Sequence, residues 1–228
     1  MGIYFSSIPT LDEYLDTPGN DFGKDIIPKM KEDGKVIMSY IYKGSWYDVG
    51  KINDLISLQL DLTRSNAPAD IMDALVITKE RQTRANIIGE NAVATTSIFG
   101  DGIRIGQNAY INGCIIGRDI SVGEGSRLES SIFNGNSWRH NDYNQITVGK
   151  NCNVQKLYAD EDVTLGDNVK IGVSNLSIDE KIKAYTQIGL THFNSEASPG
   201  DFYIVPNGEL EGFVVLRSGI AIPNGFVG

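Results

Sequence analysis

The sequence predicts a mostly β protein in which a parallel β-solenoid follows a small α/β segment. A pair made of an aliphatic residue and a glycine recurs along the middle of the chain, with its glycine at Gly89, Gly106, Gly123, Gly149 and Gly166. The steps between these glycines are 17, 17, 26 and 17 residues, and such a period is typical of solenoids. Glycine makes up 25 of the 228 residues, more than the usual ~7%, which indicates many turns.

Two further sets of residues recur at fixed offsets from these pairs, as expected if inward side chains stack on their equivalents in the next coil. The first set is Ala94, Ile111, Leu128, Val154 and Ile171, and the second is Ser97, Cys114, Ser131, Leu157 and Ser174. Apolar residues do not recur at spacings of three and four residues, as they would in an amphipathic helix, so a helical interpretation fails. Glycine is expected to supply turn conformations that other residues adopt only with strain.

The hexads of these coils resemble the hexapeptide repeat, whose coils are left-handed. The predicted hand rests on that resemblance alone, because spacing does not determine it and right-handed crossovers are the general rule. The long step places an insertion within Gly135–Gln145, and loops often carry function. In hexapeptide acyltransferases a histidine near an extended loop is the general base, which makes His140 a candidate. We favour an ordinary polar or subunit-packed loop, because His140 has no identifiable partner.

Composition excludes several classes of function. The 20 basic and 29 acidic residues give a net charge of −9, which disfavours nucleic acids and anionic lipid surfaces. No apolar run approaches the ~18–20 residues of a membrane helix, and no segment is typical of a signal peptide, so the cytoplasm is the expected compartment. Two cysteines predict neither a disulfide framework nor a typical zinc site.

The opening of the chain is predicted to be α/β but too small for a complete nucleotide-binding sheet. Strands are predicted over residues 1–6 and 36–42, and a helix from about Ile52 to Arg64. Neither a P-loop nor a G-x-G-x-x-G pattern occurs. The predicted domains are residues 1–66, a connection over 67–86, and a solenoid over 87–228. Residues 175–200 break the coil pattern and are expected to leave it, against another subunit.

Three motifs in the opening segment resemble one family when taken together. Met1-Gly2-Ile3-Tyr4, Asp21 to Lys29 and Trp46-Tyr47-Asp48-Val49-Gly50 occur in this order in ADP-glucose pyrophosphorylase (glucose-1-phosphate adenylyltransferase). The resemblance implies that residues 1–66 are the C-terminal part of a nucleotidyltransferase domain and that residues 87–228 are a left-handed β-helix. It also implies Mg²⁺, ATP and glucose 1-phosphate as ligands, ADP-glucose for glycogen or starch synthesis, a regulated oligomer formed through the β-helix, and a cytoplasmic (in plants, plastid) location.

The resemblance assigns roles to individual residues. Asp48 corresponds to a catalytic aspartate that holds Mg²⁺, and Tyr4, Asp21, Phe22 and Trp46 correspond to residues of the sugar-phosphate site. From the residues alone, Asp48 and Asp21 are equally explained as cap or turn residues, and the aromatic residues as packing. Lys24 is a candidate anion contact or a solvated lysine. Arg217 is the basic residue nearest to the family's activator-binding position.

The family's Gly-rich loop, first metal-binding aspartate and Glu-Lys pair have no counterpart in this sequence. We therefore expect the chain to be inactive alone, and the apolar surface of its opening segment to be exposed or to contact a subunit. Three hypotheses follow: a piece of the adenylyltransferase, a non-catalytic regulatory or oligomerisation module of the same enzyme, and, ranked last, a hexapeptide acyltransferase that uses His140.

Overall fold

The computed structural model describes residues 2–16, 18–19, 21–64, 85–135, 146–193 and 200–228, with the backbone alone at 146–147. The chain divides into two compact units, Met1–Asp48 and Val49–Gly228. The second unit therefore begins well before the domain boundary predicted at residue 66. The predicted connection lies almost entirely outside the described residues, and the three-part division stays a prediction.

The first unit is built from short helices. Helix α1, Ile8–Leu15, begins after Ser7, whose hydroxyl accepts a hydrogen bond from the Thr10 backbone N–H. A π-helical turn, Phe22–Ile26, leads directly into helix α2, Ile27–Glu32. Proline stands in the first turn of both α-helices. In α1 its missing N–H costs nothing, because that donor has no intrahelical partner.

Polar contacts join α1 to the chain that follows α2. The buried Tyr14 donates its hydroxyl hydrogen to Asp33 Oδ2 at 3.0 Å, and Lys35 pairs with Glu13 at 2.7 Å. The Tyr14 contact and the Lys29–Asp33 ion pair, at 2.9 Å, keep the pKa of Asp33 below its usual value, with the lysine hydrogen bond the larger cause. The two lysine–carboxylate pairs are solvent-accessible, so each contributes little to stability.

The two strands predicted in the first unit are wrong. Residues 2–6 and 36–42 form no strand, because a strand needs a hydrogen-bonded neighbour and neither segment has one within the described ranges. Val36, Met38 and Tyr40 consequently point into solvent, and Met38 is 86% exposed. The expected exposure of apolar surface in this segment is confirmed.

The second unit contains three β-sheets, and among its first fourteen strands the paired neighbours are three places apart along the chain. The first sheet contains β1 Ile87–Ile88, β4 Arg104–Ile105, β7 Ile120–Val122, β10 Ile146–Val148, β13 Thr164–Leu165 and β17 Ala221–Ile222. The second contains β2 Val93–Thr95, β5 Tyr110–Asn112, β8 Arg127–Glu129, β11 Asn153–Gln155 and β14 Lys170–Ile171. The third contains β3 Ile98–Phe99, β6 Ile115–Arg118, β9 Ile132–Gly135, β12 Leu157–Ala159, β16 Val214–Leu216 and β15 Phe202–Ile204.

These strands confirm the predicted parallel repeat. All neighbours are parallel except β15 and β16, and the register follows the sequence period. Ile105 pairs with Val122, 17 residues on, and Val122 pairs with Val148, 26 residues on. The set that begins with Ala94 stacks as well, because Ile111 pairs with Leu128. Their side chains fill the interior, so the extra residues of the long step leave the stacking unbroken.

The repeated glycines serve close approach between coils rather than special turn conformations. A Cβ on Gly106 would lie 2.5 Å from the backbone nitrogen of Glu124 in the next coil, closer than real Cβ atoms come. Gly106 does not have a positive φ, whereas Asn91 and Asn108 at the turns do, at 57° and 55°. The five repeat glycines therefore do not supply turn dihedral angles, whereas other coil glycines such as Gly102 and Gly113, with φ of 72° and 62°, do so as expected, together with asparagine, which tolerates the left-handed region.

Helix α3, Ile52–Leu62, covers the outer face of the third sheet. Ile56 and Leu60 are buried on it, against a group that includes Ile132, Tyr158 and Val215. The third sheet is thus covered on both faces, which explains why β12 and β16 are apolar at every position rather than at alternate ones.

Helix α4, Ile178–Gln187, is the predicted departure from the coils. It begins with a capping box in which Ser177 and Glu180 each bond the other's backbone N–H. The apolar face of α4 packs on its own unit, because Tyr185 is fully buried and stacks on Phe202 with ring centroids 4.8 Å apart. None of the helices in the described ranges has the length and apolar character to cross a bilayer.

Candidate functional site

Tyr4 and Phe22 form an exposed aromatic pair in the first unit. Their rings stack with centroids 5.5 Å apart and planes 17° from parallel. The Tyr4 hydroxyl lies over Gly23, where an added Cβ would be 3.7 Å from it. Tyr4 remains half exposed, so the pair is a surface platform more than a piece of core. Stacked rings of this kind offer an apolar face beside polar groups.

Asp21 lies beside this pair and caps the π-helical turn. Its Oδ1 accepts from the backbone N–H groups of Gly23 and Lys24, at 2.8 and 2.9 Å. Its Oδ2 faces the Lys24 ammonium at 3.9 Å. The cap interpretation of Asp21 is thus confirmed, and Oδ2 is the oxygen left for another donor. The structure brings Tyr4, Asp21 and Phe22 together and adds Lys24 to them.

Trp46 and Asp48 are not brought into this group. Both are exposed, and neither has a hydrogen bond, ion pair or ring contact in the described part of the chain. Asp48 does not cap α3, because the N-cap of that helix is Lys51 and has no side-chain cap. The helix-cap explanation of Asp48 is therefore wrong.

The described residues do not by themselves make a magnesium site. No group of three or more His, Cys, Asp and Glu side chains among them is placed to hold a metal ion. Mg²⁺ is held by one or two carboxylates together with phosphate oxygens and water, so Asp48 alone supplies at most one of the ligands. His140 and almost all of the Gly135–Gln145 insertion lie outside the described residues.

Arg217 lies on a cavity within the second unit. The cavity has a volume of about 360 Å³, and its lining includes Lys51, Tyr158, Asp160 and Phe193. The Arg217 guanidinium stacks on the Phe193 ring at 4.1 Å from its centroid, a cation–π contact that fixes its plane. Two cationic side chains and a tyrosine therefore face one concave surface of mainly apolar residues.

A hydrogen-bonded network holds the acidic wall of this cavity. The side-chain amide of Asn134 donates to the Tyr158 hydroxyl at 2.7 Å and to Asp160 Oδ1 at 3.1 Å. Ser218 donates its hydroxyl hydrogen to Asp160 Oδ2 at 2.9 Å. Burial raises the pKa of Tyr158, so the phenol stays a neutral donor at physiological pH.

Sequence reasoning identified Arg217 but missed Lys51, Tyr158 and Asp160. Asp160 follows β12 and Arg217 follows β16, and these strands pair so that Ala159 is opposite Leu216. The 17-residue period predicts the position of Asp160 at the end of a coil strand. It does not predict that the chain returns after α4 to form β16 beside β12. The pairing of Asp160 with Arg217 on one wall was therefore not readable from spacing.

Residues 1–65 match the Nucleotidyl transferase family. The match covers the whole first unit and also helix α3. It defines the class of the opening segment: a nucleotidyl transferase segment, here followed by a parallel β-solenoid. The similarity of residues 1–65 to this family suggests use of a divalent metal in general.

The similar proteins narrow this class. The glucose-1-phosphate adenylyltransferase of Clostridium botulinum (strain Alaska E43 / Type E3) is 36% identical over 113 residues, 46% of this chain and 29% of that protein. The enzymes of the same name from Desulforamulus reducens and Acetivibrio thermocellus are 27% and 26% identical over 82% and 91% of this chain. The resemblance to glucose-1-phosphate adenylyltransferases is confirmed. The chain covers 46% and 47% of the latter two proteins, so it spans less than half of each relative.

Proposed function

We propose that the chain supplies the C-terminal part of a glucose-1-phosphate adenylyltransferase, which joins ATP and glucose 1-phosphate to give ADP-glucose and pyrophosphate for glycogen or starch synthesis. The observation that carries this proposal is the Tyr4–Phe22 pair beside Asp21, inside the segment that matches the nucleotidyl transferases. The activity belongs to the complete catalytic domain, and the isolated chain is inactive.

The sugar phosphate is bound by the group around Asp21. Oδ1 is engaged by the cap, so Oδ2 accepts a hydrogen bond from a glucose hydroxyl. The stacked rings of Tyr4 and Phe22 pack against the apolar face of the sugar ring. Lys24, an exposed side chain 3.9 Å from Asp21 Oδ2, would turn toward a phosphate. The role of Trp46 in the sugar-phosphate site rests on the family resemblance.

Asp48 provides one oxygen ligand for Mg²⁺ in the complete domain. A bound magnesium ion neutralises phosphate charge during adenylyl transfer. Asp48 is exposed where the chain leads into α3, so its carboxylate would be open to a metal ion.

We also propose that the solenoid is a left-handed β-helix that assembles the enzyme into an oligomer. The hexad pattern supports the hand, and the parallel three-sheet arrangement is compatible with it. The cavity at Arg217 is the proposed site of a small effector, because Lys51, Asp160 and Arg217 line one concave surface. The cytoplasmic location stays a prediction.

The experiment that tests the proposal uses a graft. Residues 1–65 replace the aligned segment of the Clostridium botulinum relative, and ADP-glucose formation from ATP, glucose 1-phosphate and Mg²⁺ is measured. In the graft, Asp48→Asn lowers turnover at least about 100-fold, since it removes a charged metal ligand. Lys43→Gln, which changes an exposed lysine of the same segment, is the matched control and leaves turnover unchanged. Unchanged turnover in Asp48→Asn would remove the metal role.

A second candidate, the non-catalytic regulatory or oligomerisation module, is favoured by the contrast between the two units. The solenoid has a complete core, whereas the sugar-site residues lie on an exposed surface. This candidate predicts that the isolated chain binds the intact relative and changes its rate or mass. If the chain is instead a piece of the enzyme, neither effect is expected. Sedimentation and rate assays on the mixture therefore discriminate between the two candidate functions.

A further inference from the structure

Asparagine is followed directly by glycine at four places in the sequence, and these pairs are Asn112–Gly113, Asn134–Gly135, Asn207–Gly208 and Asn224–Gly225. In such a pair the backbone nitrogen of the glycine can attack the side-chain carbonyl carbon of the asparagine, because glycine has no Cβ to obstruct the approach. Asparagine is a thermolabile residue. The fold decides which pairs react, because the attack needs a free asparagine side chain and a glycine N–H without an acceptor.

Hydrogen bonds hold both reacting groups of the Asn112 pair. The side-chain oxygen of Asn112 accepts from the hydroxyls of Thr95 and Thr96, at 2.9 and 2.8 Å. The Gly113 N–H donates to the backbone oxygen of Thr95 at 3.2 Å. Reaction at this pair therefore requires that contacts between neighbouring coils open first.

The pairs at Asn134 and Asn224 are held in a similar way. The side-chain nitrogen of Asn134 makes two hydrogen bonds in the network at the acidic wall of the cavity. The side-chain oxygen of Asn224 accepts from the Asp167 backbone N–H at 2.8 Å. The Gly225 N–H donates to the Asp167 backbone oxygen at 2.7 Å. These two pairs are likewise protected while the coils stay closed.

The Asn207 pair lies in the turn between β15 and β16 and has none of these contacts. Asn207 and Gly208 are both exposed, and an added Cβ on Gly208 would meet no atom within 4 Å. Neither the Asn207 side chain nor the Gly208 N–H makes a hydrogen bond in the part of the chain that the structure describes. Of the four pairs, this one has reacting groups that are free to meet.

The base of this turn is fixed although its tip is open. The Val205 N–H donates to the backbone oxygen of Phe213 at 2.9 Å, and the Gly212 N–H donates to that of Val205 at 2.9 Å. Val205 and Phe213 are both buried. A chemical change at the tip therefore leaves the pairing of β15 with β16 in place.

We propose that Asn207 is a site of spontaneous deamidation, at which the folded chain acquires aspartate or isoaspartate. The Gly208 nitrogen forms a bond to Asn207 Cγ, the Cγ–Nδ2 bond breaks, and ammonia leaves with the proton that the glycine nitrogen loses. Water then opens the cyclic imide at either carbonyl carbon. No oxidant, reductant or cofactor takes part, and the new carboxylate adds a negative charge to a chain whose net charge is −9. This modification is independent of the adenylyltransferase function.

The test follows the masses of tryptic peptides while the full chain is kept in warm, mildly alkaline buffer. Trypsin places the four pairs on separate peptides, 105–118, 128–139, 184–217 and 218–228. Deamidation exchanges ammonia for water, so each event raises the mass of its peptide. The gain in 184–217 is expected to be at least about tenfold faster than in the other three peptides, because their pairs must first lose hydrogen bonds.

Asn207→Gln moves the amide one methylene farther from the backbone and is expected to abolish the gain in 184–217, which assigns that gain to this residue. The chain unfolded in urea is the matched control. All four pairs then lack the contacts of the fold and are expected to react at similar rates. Equal rates in the four peptides of the folded chain, no gain in 184–217, or a gain that persists in Asn207→Gln would overturn the proposal.

Discussion

The two units of the chain use apolar residues in opposite ways. In Val49–Gly228, inward side chains such as Leu128 and Val154 are completely buried by their equivalents in neighbouring coils. In Met1–Asp48, the apolar residues of 36–42 point into solvent, and the buried apolar residues are Tyr14 and Ile26. A solenoid coil needs only its neighbours, whereas a central strand needs a sheet. The difference shows that the first unit has a sequence suited to partners beyond its own described residues.

The largest expected effect is on the buried columns. Leu128→Ala should lower the free energy of unfolding by about 2–5 kcal/mol, because it leaves a cavity that the coils cannot close. Met38→Ala, at an exposed position of the first unit, should change it by less than about 0.5 kcal/mol. Urea unfolding followed by circular dichroism measures both. Equal losses would show that residues 36–42 are packed and that the contrast between the units is wrong.

The next effect concerns the spacing of the coils. Gly106→Ala should cost about 1–3 kcal/mol, since its Cβ would meet the backbone of the next coil and force the coils apart. Gly2→Ala, with open space around it, is the matched change in the first unit and should have almost no effect. If Gly106→Ala melts at the same temperature as the unaltered chain, the close-approach explanation fails.

Helix caps offer a smaller comparison between the units. Ser177→Ala removes one half of the capping box on α4 and should cost about 1 kcal/mol. Ser7→Ala removes a cap bond of the same length, 3.3 Å, at the start of α1, where the third helical residue is Thr10 and not a glutamate, and should cost about half as much. Thermal unfolding of the two variants measures the difference. A larger loss for Ser7→Ala would mean that α1 contributes more to stability than its exposed setting indicates.

The smallest expected effect is chemical. Burial raises the pKa of the Cys114 thiol to about 12, so the thiol stays neutral and unreactive in the folded chain. Because the unfolded thiol ionises near 9, its contribution to stability is complete below pH 9 and is lost as the pH rises toward 12. Thiol-reagent kinetics should show no reaction of Cys114 until denaturant is added. Rapid labelling at neutral pH would contradict the burial of this column.

The sequence predicts the second unit better than the first, because a coil depends on its neighbouring coils whereas a central strand depends on a sheet. The column Ile105–Val122–Val148 was predictable, because each member depends on residues one coil away. Residues 36–42 have the composition of a strand but no neighbour in the described chain, so the prediction failed there. Cap contacts of Asp21 followed from local sequence. The approach of Asp160 to Arg217 did not, because it depends on where the chain returns at β16 after α4.

Turnover of the graft of residues 1–65 into the Clostridium botulinum relative tests most directly whether these residues supply part of an adenylyltransferase. Those residues hold Tyr4, Asp21, Phe22, Trp46 and Asp48 in the segment that matches the nucleotidyl transferases. We expect the folded graft to form ADP-glucose with turnover within about tenfold of that of the relative, which is a loss of at most about 1.4 kcal/mol of transition-state stabilisation. A graft that folds with the melting temperature of the relative but forms no ADP-glucose would contradict it.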